Sequence, residues 1–384
     1  MAKILHLGKY HPPFMGGIEN FMSALMQQQV LDGDEVSALV HHHEKKQKFR
    51  LELDGLVKVF RVPCMGTLAY APISPLFGFY LNKIVKEEKP DLIHIHLPNL
   101  SAFWYLFNSR AKKIPMVVHW HADVLGSLPE LKIKLLYPFY RLFEKALLKR
   151  ASEIIVTSPV YLKSSEPLKS FTEKANVIPL GLSDDNCDIY SEIVQNDQLN
   201  LLIIGRLTYY KGHLVLLKAL SELKKQGIQI NLTIVGGGEL KDDIVAYIDQ
   251  LALSKNVRML SNLSNDALTQ ELISTHLLCL PSIERTEAFG VVLLEAMRAC
   301  KPCLVTDVEG SGMSWVVQDE KTGFVVKHNN INSLVEKLAY IYNNPELLTR
   351  YGLAGRRRFE SEFTIQSINE KTRHLYQKIL KINE

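Results

Sequence analysis

Two glutamates eight residues apart, Glu287 and Glu295, frame the stretch of this sequence that is best suited to chemistry. Between them lie the Phe289-Gly290 turn and the apolar run 291–294, which together predict a helix beginning at Gly290. A helix N-terminus offers unpaired N–H groups and a partial positive charge, and so suits a phosphate. A carboxylate buried on that helix needs donors, and a sugar diol supplies two. A nucleotide-sugar has this shape; a surface glutamate before an ordinary core helix is the alternative.

Two cations lie in the loop 205–212, which follows a predicted strand. Arg206 and Lys211 leave the carboxyl end of that strand, where ligands of open α/β sheets bind. Fixed cations can neutralise the charge that builds on a departing nucleoside diphosphate, since one ion pair at about 4 Å contributes about 4 kcal/mol at an effective dielectric of about 20. Surface charges flanking a turn are the alternative.

Glycine pairs and acidic pairs elsewhere give weaker signals. Gly16 and Gly17 lie between the first predicted strand and the first helix, where a backbone can approach a phosphate closely; a tight turn is the alternative. Neither this pair nor the glycines at 236–238 form the G-x-G-x-x-G fingerprint, which argues against a dehydrogenase. Asp32-Gly33-Asp34 matches a D-x-D metal signature, but it lies at the wrong end of the sheet and is interpreted as a chance match.

The segment His119-Trp120-His121-Ala122-Asp123 allows two interpretations. Alternate residues share one side of a strand, and H-x-H-x-D is typical of the metal ligands of metallo-β-lactamase-like hydrolases. Val124 stands where that motif has its next histidine, so we predict no metal site. The other interpretation makes His121, at the carboxyl end of the strand, a polar contact to a sugar, and His119 a core histidine.

Composition favours a soluble protein of two domains. The chain has 384 residues, of which 47% are hydrophobic and 22% charged. We expect neither a signal peptide nor a membrane span, because the chain starts directly with a strand and contains no sufficiently long apolar run. An odd cysteine count without a paired framework favours a reducing cytoplasm. The cysteines are Cys64, Cys187, Cys279, Cys300 and Cys303.

Short apolar strands alternate with amphipathic helices along the whole chain, which predicts parallel sheets covered on both faces. The predicted strands are 3–8, 35–41, 56–62, 91–96, 115–121, 153–158, 200–205, 230–236, 256–260, 277–281, 302–306 and 324–326. The predicted helices include 17–31, 76–88, 130–150 and 365–382. The polar stretch 181–198 is the expected linker between the domains.

Charge is unevenly distributed between the two halves. Residues 1–180 carry 23 Lys and Arg against 16 Asp and Glu, whereas the remainder carries 22 against 25. The segment 131–151 contains six cations and one anion interleaved with Tyr and Phe, a pattern typical of contact with anionic lipid. We expect Pro138 to break it into two helices. A core-packed helix with a solvated basic face is the alternative; no nucleic-acid-binding fold accompanies the charge.

Taken together, these segments resemble the family-4 retaining glycosyltransferases of the GT-B architecture, in order and spacing, from about residue 3 to residue 360. The segments that carry the resemblance are 12–19, His121, 205–212, the Glu287/Glu295 pair and Gly310–Gly312 leading to Thr322-Gly323. It implies two Rossmann-like domains facing across a cleft: residues 1–180 with 363–384 for the acceptor, and 199–362 for the nucleotide-sugar. The amino-acid sequence of segment 310–317 is most similar to that of bacterial O-antigen enzymes, several of which use GDP-mannose.

The resemblance also implies a role for each site residue. Gly16 and Gly17 would contact the donor diphosphate, and Arg206 and Lys211 would stabilise the leaving group in place of a metal. Glu287 would contact the hexose, Glu295 the ribose and His121 the sugar near its reactive carbon, while the backbone at Phe289, Gly290 and Val291 would hold the phosphates. No cofactor is implied. The acceptor would be a glycan or a lipid-linked glycan. Gly33-Asp34 departs from the Gly-His pair of many relatives, far from the chemistry.

Three other functions stay open from the sequence. A non-hydrolysing nucleotide-sugar 2-epimerase has a similar architecture but needs no acceptor. A metal-dependent hydrolase would use His119, His121 and Asp123 and would lose activity with a chelator. A non-catalytic sugar-nucleotide binding protein would not require His121 or Glu287.

Overall fold

The chain forms two compact α/β units in a computed structural model that describes residues 1–14, 16–44, 47–68, 71–124, 131–184 and 198–382. The first unit comprises Met1–Ser183 together with Ile365–Glu384, and the second comprises Asp184–Thr364. Most of the predicted linker 181–198 lies outside the described residues. No described helix combines the length and apolar character that crossing a bilayer requires.

The first unit is built on an eight-stranded sheet with the strand order β10-β9-β8-β7-β1-β2-β4-β3. All neighbouring strands are parallel except β3, which pairs antiparallel with β4 at one edge. β7 and β8 are buried along their whole length, as expected for central strands covered on both faces. Its elements are β1 (Lys3–Leu7), α1 (Gly17–Leu31), β2 (Glu35–His41), β3 (Arg50–Asp54), β4 (Val57–Val62), β5 (Gly66–Leu68), β6 (Ala71–Ile73), α2 (Phe77–Glu88), β7 (Leu92–Leu97), β8 (Met116–Trp120), α3 (Leu131–Arg150), β9 (Glu153–Val156), α4 (Pro159–Ser164) and β10 (Ala175–Val177).

The second unit has a six-stranded, fully parallel sheet with the order β13-β12-β11-β14-β15-β16. The chain order reverses between β11 and β14, which makes their carboxyl ends the topological switch point where such sheets bind ligands. Its elements are β11 (Leu199–Ile204), α5 (His213–Lys225), β12 (Ile230–Val235), α6 (Lys241–Gln250), β13 (Val257–Leu260), α7 (Asn265–Ser274), β14 (Leu277–Leu280), α8 (Val291–Arg298), β15 (Cys303–Thr306), α9 (Met313–Val316), β16 (Gly323–Val326), α10 (Ile331–Asn343) and α11 (Glu346–Glu362). Two Rossmann-like domains are therefore confirmed.

The last helix, α12 (Ile365–Ile382), packs on α1 in the first unit, as predicted. Asn369 Nδ2 donates to Asp32 at 2.7 Å, and the Arg373 guanidinium pairs with Asp34 at 3.1 Å. Both carboxylates of Asp32-Gly33-Asp34 therefore hold α12, which accounts for the D-x-D match without a metal. Tyr376 continues the contact deeper in the unit and is fully buried.

The expected break at Pro138 is wrong, because α3 runs without interruption from Leu131 to Arg150. A proline inside a helix removes one backbone hydrogen bond and costs about 3 kcal/mol. Pro138 lies on the exposed side, where water can bind the freed carbonyl group. The C-terminal half of α3 offsets the cost by burying Glu144, Leu147 and Leu148 against the unit.

Candidate functional site

Close backbone packing shapes the loops at the switch point of the second unit. Gly236 has φ +155°, and a Cβ there would lie 1.9 Å from the Gly205 carbonyl oxygen, so the loops after β11 and β12 touch through backbone. Gly212 has φ +73°, and its Cβ would lie 2.0 Å from the Pro281 carbonyl oxygen. The Ile283 N–H also donates to the Tyr210 carbonyl at 2.8 Å. These contacts fix the loop after β11 against the loop after β14.

This packing brings Lys211 and Glu287 together as a buried ion pair. The Lys211 ammonium donates to the Glu287 carboxylate, and only about a tenth of each side chain is exposed. Burial alone would lower the pKa of Lys211, but the adjacent Glu287 carboxylate outweighs it and the pKa is raised. Gly205 leaves room for the lysine, because a Cβ there would lie 3.2 Å from Lys211 Nζ. Two predicted site residues 76 positions apart therefore form one charged centre.

The glycine-rich loop after β15 is hydrogen-bonded to the backbone of the loop that carries Glu287. The Ser311 hydroxyl donates to the Glu287 carbonyl oxygen, and the Gly312 N–H donates to the Ala288 carbonyl oxygen at 2.8 Å. Gly310 has φ +79°, a left-handed conformation that favours glycine. The 310–312 segment thus positions the loop that carries Glu287.

Helix α8 begins where the sequence predicts. Gly290 is its N-cap residue with φ +82°, and no capping side chain binds its first turn within the described residues. The free N–H groups there can bind an anion. The Phe289 ring is buried against Trp315 and Phe363, so only the backbone of this segment is available to a ligand. Val291, the first helical residue, is half-buried.

Arg206 lies close enough to Lys211 for their charges to interact, and Glu295 lies within α8. Among the described residues, neither side chain makes a hydrogen bond or an ion pair. Burial raises the pKa of Glu295, and the nearby Arg298 opposes the shift only in part. Arg206 is exposed, and its charge reaches Lys211, where it works against protonation. A carboxylate and a guanidinium are thus available to bind a ligand.

Sequence reasoning missed two hydroxyl groups in the loop that carries Glu287. The side-chain oxygens of Ser282 and Thr286 are buried and have no hydrogen-bond partner among the described residues. Buried hydroxyls are normally paired, so unpaired ones in this loop point to a polar ligand. The signal available in the sequence was their position in the loop after β14.

Gly16 and Gly17 lie in the first unit, at the start of α1. Gly16 is extended, with φ −169°, so its backbone does not itself require glycine. A Cβ there would lie 2.2 Å from a carboxylate oxygen of Glu19, which occupies the first turn of the helix. Gly16 therefore makes room for Glu19, and its predicted contact with a diphosphate stays a prediction.

His121 follows β8 in the first unit and is fully buried. It belongs to a stack of five buried histidines on one side of the sheet, with rings 4.2 to 5.4 Å apart between neighbours. Burial lowers the pKa of His121 to about 3, so the ring is neutral at pH 7. We call this set the histidine stack; its members are His6, His94, His96, His119 and His121.

The stack, rather than H-x-H-x-D, contains the groups closest to a metal-ligand arrangement. The potential ligand atoms of His6, His94 and His96 lie within 4.8 Å of one another, as do those of His96, His119 and His121. Asp123 belongs to neither group in the part of the chain that the structure describes. Its carboxylate accepts from Trp120 Nε1 at 2.8 Å and from the Ser165 hydroxyl at 2.7 Å. The ligand set of the hydrolase alternative is therefore not assembled.

Two Rossmann-like units, one with a cation–carboxylate centre at its switch point, agree with the GT-B fold of glycosyltransferases. Two family models match the chain: "Glycosyl transferase 4-like domain" over residues 16–181 and "Glycosyl transferases group 1" over residues 190–358. Together the two models span most of the chain, which therefore belongs to the glycosyltransferases of these two domain families.

Known proteins similar to the chain agree with this assignment. O-antigen chain mannosyltransferase C of Escherichia coli is 29% identical over 389 residues, which covers 99% of both chains. Sucrose-phosphate synthase from Thermosynechococcus elongatus has the same fold, with a TM-score of 0.81 at 19% identity over 100% of both chains. Anabaena HepE, solved with UDP-glucose, matches with a TM-score of 0.72 at 18% identity over 98% of this chain and 100% of its own. The epimerase alternative gains no support from them.

Proposed function

We propose that this enzyme transfers a hexose, with retention of anomeric configuration, from a nucleotide-diphosphate sugar to a glycan or lipid-linked acceptor in the synthesis of bacterial surface polysaccharide. GDP-mannose is the favoured donor and a UDP-sugar the next. The observation that carries the proposal is the buried Lys211–Glu287 pair beside the uncapped N-terminus of α8. The similarity to an O-antigen mannosyltransferase over nearly the full length supports the choice of sugar and of polysaccharide.

Each group at this centre has a task in the proposed reaction. The diphosphate binds the N–H groups at the start of α8, and Lys211 and Arg206 neutralise its growing negative charge as the bond to the sugar breaks. Glu287 accepts hydrogen bonds from hexose hydroxyls, and Glu295 accepts them from the ribose. The acceptor hydroxyl attacks the oxocarbenium-like carbon on the face that the diphosphate leaves. The leaving phosphate takes the proton of that hydroxyl.

The chemistry is proposed to proceed without a metal ion or a cofactor. Arg206 and Lys211 place two positive charges at the site, which is the contribution that a divalent cation makes to a departing diphosphate elsewhere. Glu287 and Glu295 are then free to bind hydroxyl groups rather than a metal. Activity should accordingly persist in a chelator such as EDTA.

Nucleotide binding gives the first test. GDP should raise the melting temperature more than UDP or ADP does, because a ligand that binds only the folded protein stabilises it by mass action. Glu295→Gln should reduce the shift produced by GDP but leave the shift produced by inorganic pyrophosphate unchanged, since pyrophosphate has no ribose. Scanning fluorimetry with all four ligands measures both effects.

Glu336→Gln, on the exposed side of α10, is the matched control and should behave as the wild type with every ligand. If Glu295→Gln lost the melting-temperature shifts with GDP and with pyrophosphate equally, Glu295 would not be the residue that binds the ribose. Absence of any shift with the three nucleotides would contradict the donor class.

A surface of the first unit fits contact with an anionic membrane. Trp104, Phe107 and Phe139 are exposed, and Phe107 meets Phe143 of α3 at a ring distance of 5.9 Å. The Trp104 ring covers Gly78 of α2, so the aromatic surface joins three segments of the unit. Exposed cations accompany it, namely Arg110, Lys113, Lys145, Lys149 and Arg150. Exposed aromatic rings beside cations favour attachment to the inner face of the cytoplasmic membrane, where a lipid-linked acceptor would lie.

Vesicle binding tests this contact. The protein should cosediment with phosphatidylcholine vesicles that contain phosphatidylglycerol and less with pure phosphatidylcholine vesicles, and added salt should weaken binding. Phe107→Ser with Phe139→Ser should lower partitioning at least tenfold, since each buried Phe contributes about 1.5 to 3 kcal/mol. Tyr340→Ser, an exposed aromatic position of the second unit, is the control. Equal binding of both variants would contradict the proposal.

A further inference from the structure

The rings of the histidine stack are joined nitrogen to nitrogen into a continuous chain. His6 Nδ1 lies 3.0 Å from His96 Nε2, and His96 Nδ1 lies 3.0 Å from His121 Nε2. The other nitrogen of His6, Nε2, lies 2.8 Å from Oε1 of Gln29 on α1. All four side chains are buried, so water does not compete for these bonds.

Gln29 determines which group donates in each hydrogen bond of this series of rings. Its Oε1 can only accept, so His6 must donate from Nε2, and His6 Nδ1 is then bare and accepts. His96 therefore donates from Nε2 and accepts at Nδ1, where His121 donates from Nε2. A neutral imidazole carries one proton, and the stack is neutral because burial lowers the pKa of each of these rings. His121 Nδ1 is consequently left as a bare acceptor.

The glutamine amide is itself oriented by the last helix. Gln29 Nε2 donates to the Tyr376 hydroxyl at 3.3 Å, and that hydroxyl donates in turn to His94 Nδ1. His94 Nε2 lies 3.2 Å from His119 Nδ1. In this second branch each group donates away from Gln29, so His119 carries its proton on Nε2. A rotated Gln29 amide would reverse both branches together. Gln29 and Tyr376 together thus determine which nitrogen of each ring donates and which accepts.

The series of hydrogen-bonded rings ends at ring nitrogens that have no partner. His121 Nδ1 is buried and has no partner among the described residues, and the same is true of His119 Nε2. An unpaired acceptor in a buried site costs free energy unless a ligand donates to it. A sugar hydroxyl is such a donor.

We propose that Gln29, through His6 and His96, is a positioning residue that holds His121 in the Nε2–H tautomer, so that His121 Nδ1 accepts a hydrogen bond from a hydroxyl of a bound sugar. The tautomer follows from the hydrogen bonds of the neutral rings, whereas the sugar contact rests on the proposed function. A site built around a bare acceptor selects sugars with a hydroxyl at that position, because a deoxy sugar would leave the acceptor unpaired. Gln29 therefore contributes to sugar specificity without touching the sugar.

Long-range ¹H–¹⁵N spectra of protein labelled with ¹⁵N-histidine read the tautomer of each ring directly. His6, His96 and His121 should all be protonated at Nε2 and bare at Nδ1 in the unliganded wild type. Gln29→Met, similar in shape but unable to accept in the same way, should change the tautomer populations of all three. Gln28→Met, half-buried one residue away, is the control and should change none. Nδ1–H at His121 in the wild type would overturn the proposal. Binding of equimolar Zn²⁺ to the histidine nitrogens, seen as loss of the ring N–H signals, would overturn it as well.

The transfer rates of two Gln29 variants distinguish a hydrogen-bonding role of this side chain from a packing role. Gln29→Met should lower kcat/KM by about 10- to 100-fold, the effect of misdirecting one buried hydrogen bond. Gln29→Glu keeps an acceptor facing His6 and should recover most of that rate, with the wild-type tautomers. A packing role predicts the reverse order, because methionine is tolerated in a core better than a carboxylate. That reverse order, or unchanged rates beside changed tautomers, would overturn the positioning role. If the wild type transfers no sugar, only the proposed function fails, since the spectra still decide the tautomer.

Discussion

Lys211→Ala should lower the rate of sugar transfer by about 10²- to 10³-fold, the usual effect of removing one group that stabilises transition-state charge. Lys211 is buried beside Glu287, which lies in the loop that leads into α8. The loss should fall mainly on kcat, because the charge on the diphosphate grows as the bond to the sugar breaks. Steady-state kinetics with GDP-mannose, or with the donor found by nucleotide screening, measures it.

The lysine also neutralises a buried carboxylate, and a second variant separates that role from catalysis. Lys211→Met with Glu287→Gln removes both charges, so the protein should regain wild-type stability while remaining as slow as Lys211→Ala. Lys218→Ala, an exposed lysine of α5, should leave both rate and stability unchanged. A folded Lys211→Ala protein with a near-wild-type rate would remove Lys211 from the reaction.

Mild acid should unfold the first unit, because the histidine stack binds protons far more readily after unfolding. Burial lowers the pKa of His6 to about 4 and that of His121 to about 3, while the unfolded side chains titrate near 6.5. Their stabilising contribution is complete above pH 6.5 and is lost as the pH falls from there toward the folded-state values. Each such ring costs about 1.4 kcal/mol per pH unit in that range, so five rings exceed the usual stability of a domain within about two units.

Urea unfolding at a series of pH values tests this expectation. In a Trp315→Phe background the remaining tryptophans, Trp104 and Trp120, both lie in the first unit and report on it alone. His94→Gln should reduce the slope of unfolding free energy against pH by about 1.4 kcal/mol per unit. His374→Gln, exposed on α12, should not. A stability independent of pH between 6.5 and 4.5 would contradict the neutral stack.

Much of the fold was accessible from the sequence because its central strands and helices are strongly patterned. β2, α1 and α12 have their predicted bounds, and Gly290 caps α8, which starts with the apolar run as predicted. The elements that were missed lie at edges: β3, the β5–β6 pair and β10 are short or half-exposed, so their alternation is weak. Pro138 was misjudged because the packing of its helix outweighs the local rule.

The site was predictable by residue type but not by contact. Charge and loop position identified Arg206, Lys211 and the glutamates, yet nothing in the sequence indicates that Lys211 and Glu287 form an ion pair. That contact depends on glycine positions at which two loops touch through backbone. The histidine stack was also missed as a unit, since its members lie in or directly after three strands that become neighbours only in the sheet.

A crystal structure of the protein with bound GDP tests the central claim most directly. The diphosphate should lie at the N-terminus of α8, within hydrogen-bonding distance of Lys211 and Arg206, with the ribose hydroxyls on the Glu295 carboxylate. A diphosphate bound away from α8, with the Lys211–Glu287 pair untouched, would contradict the assignment of this centre as the donor site.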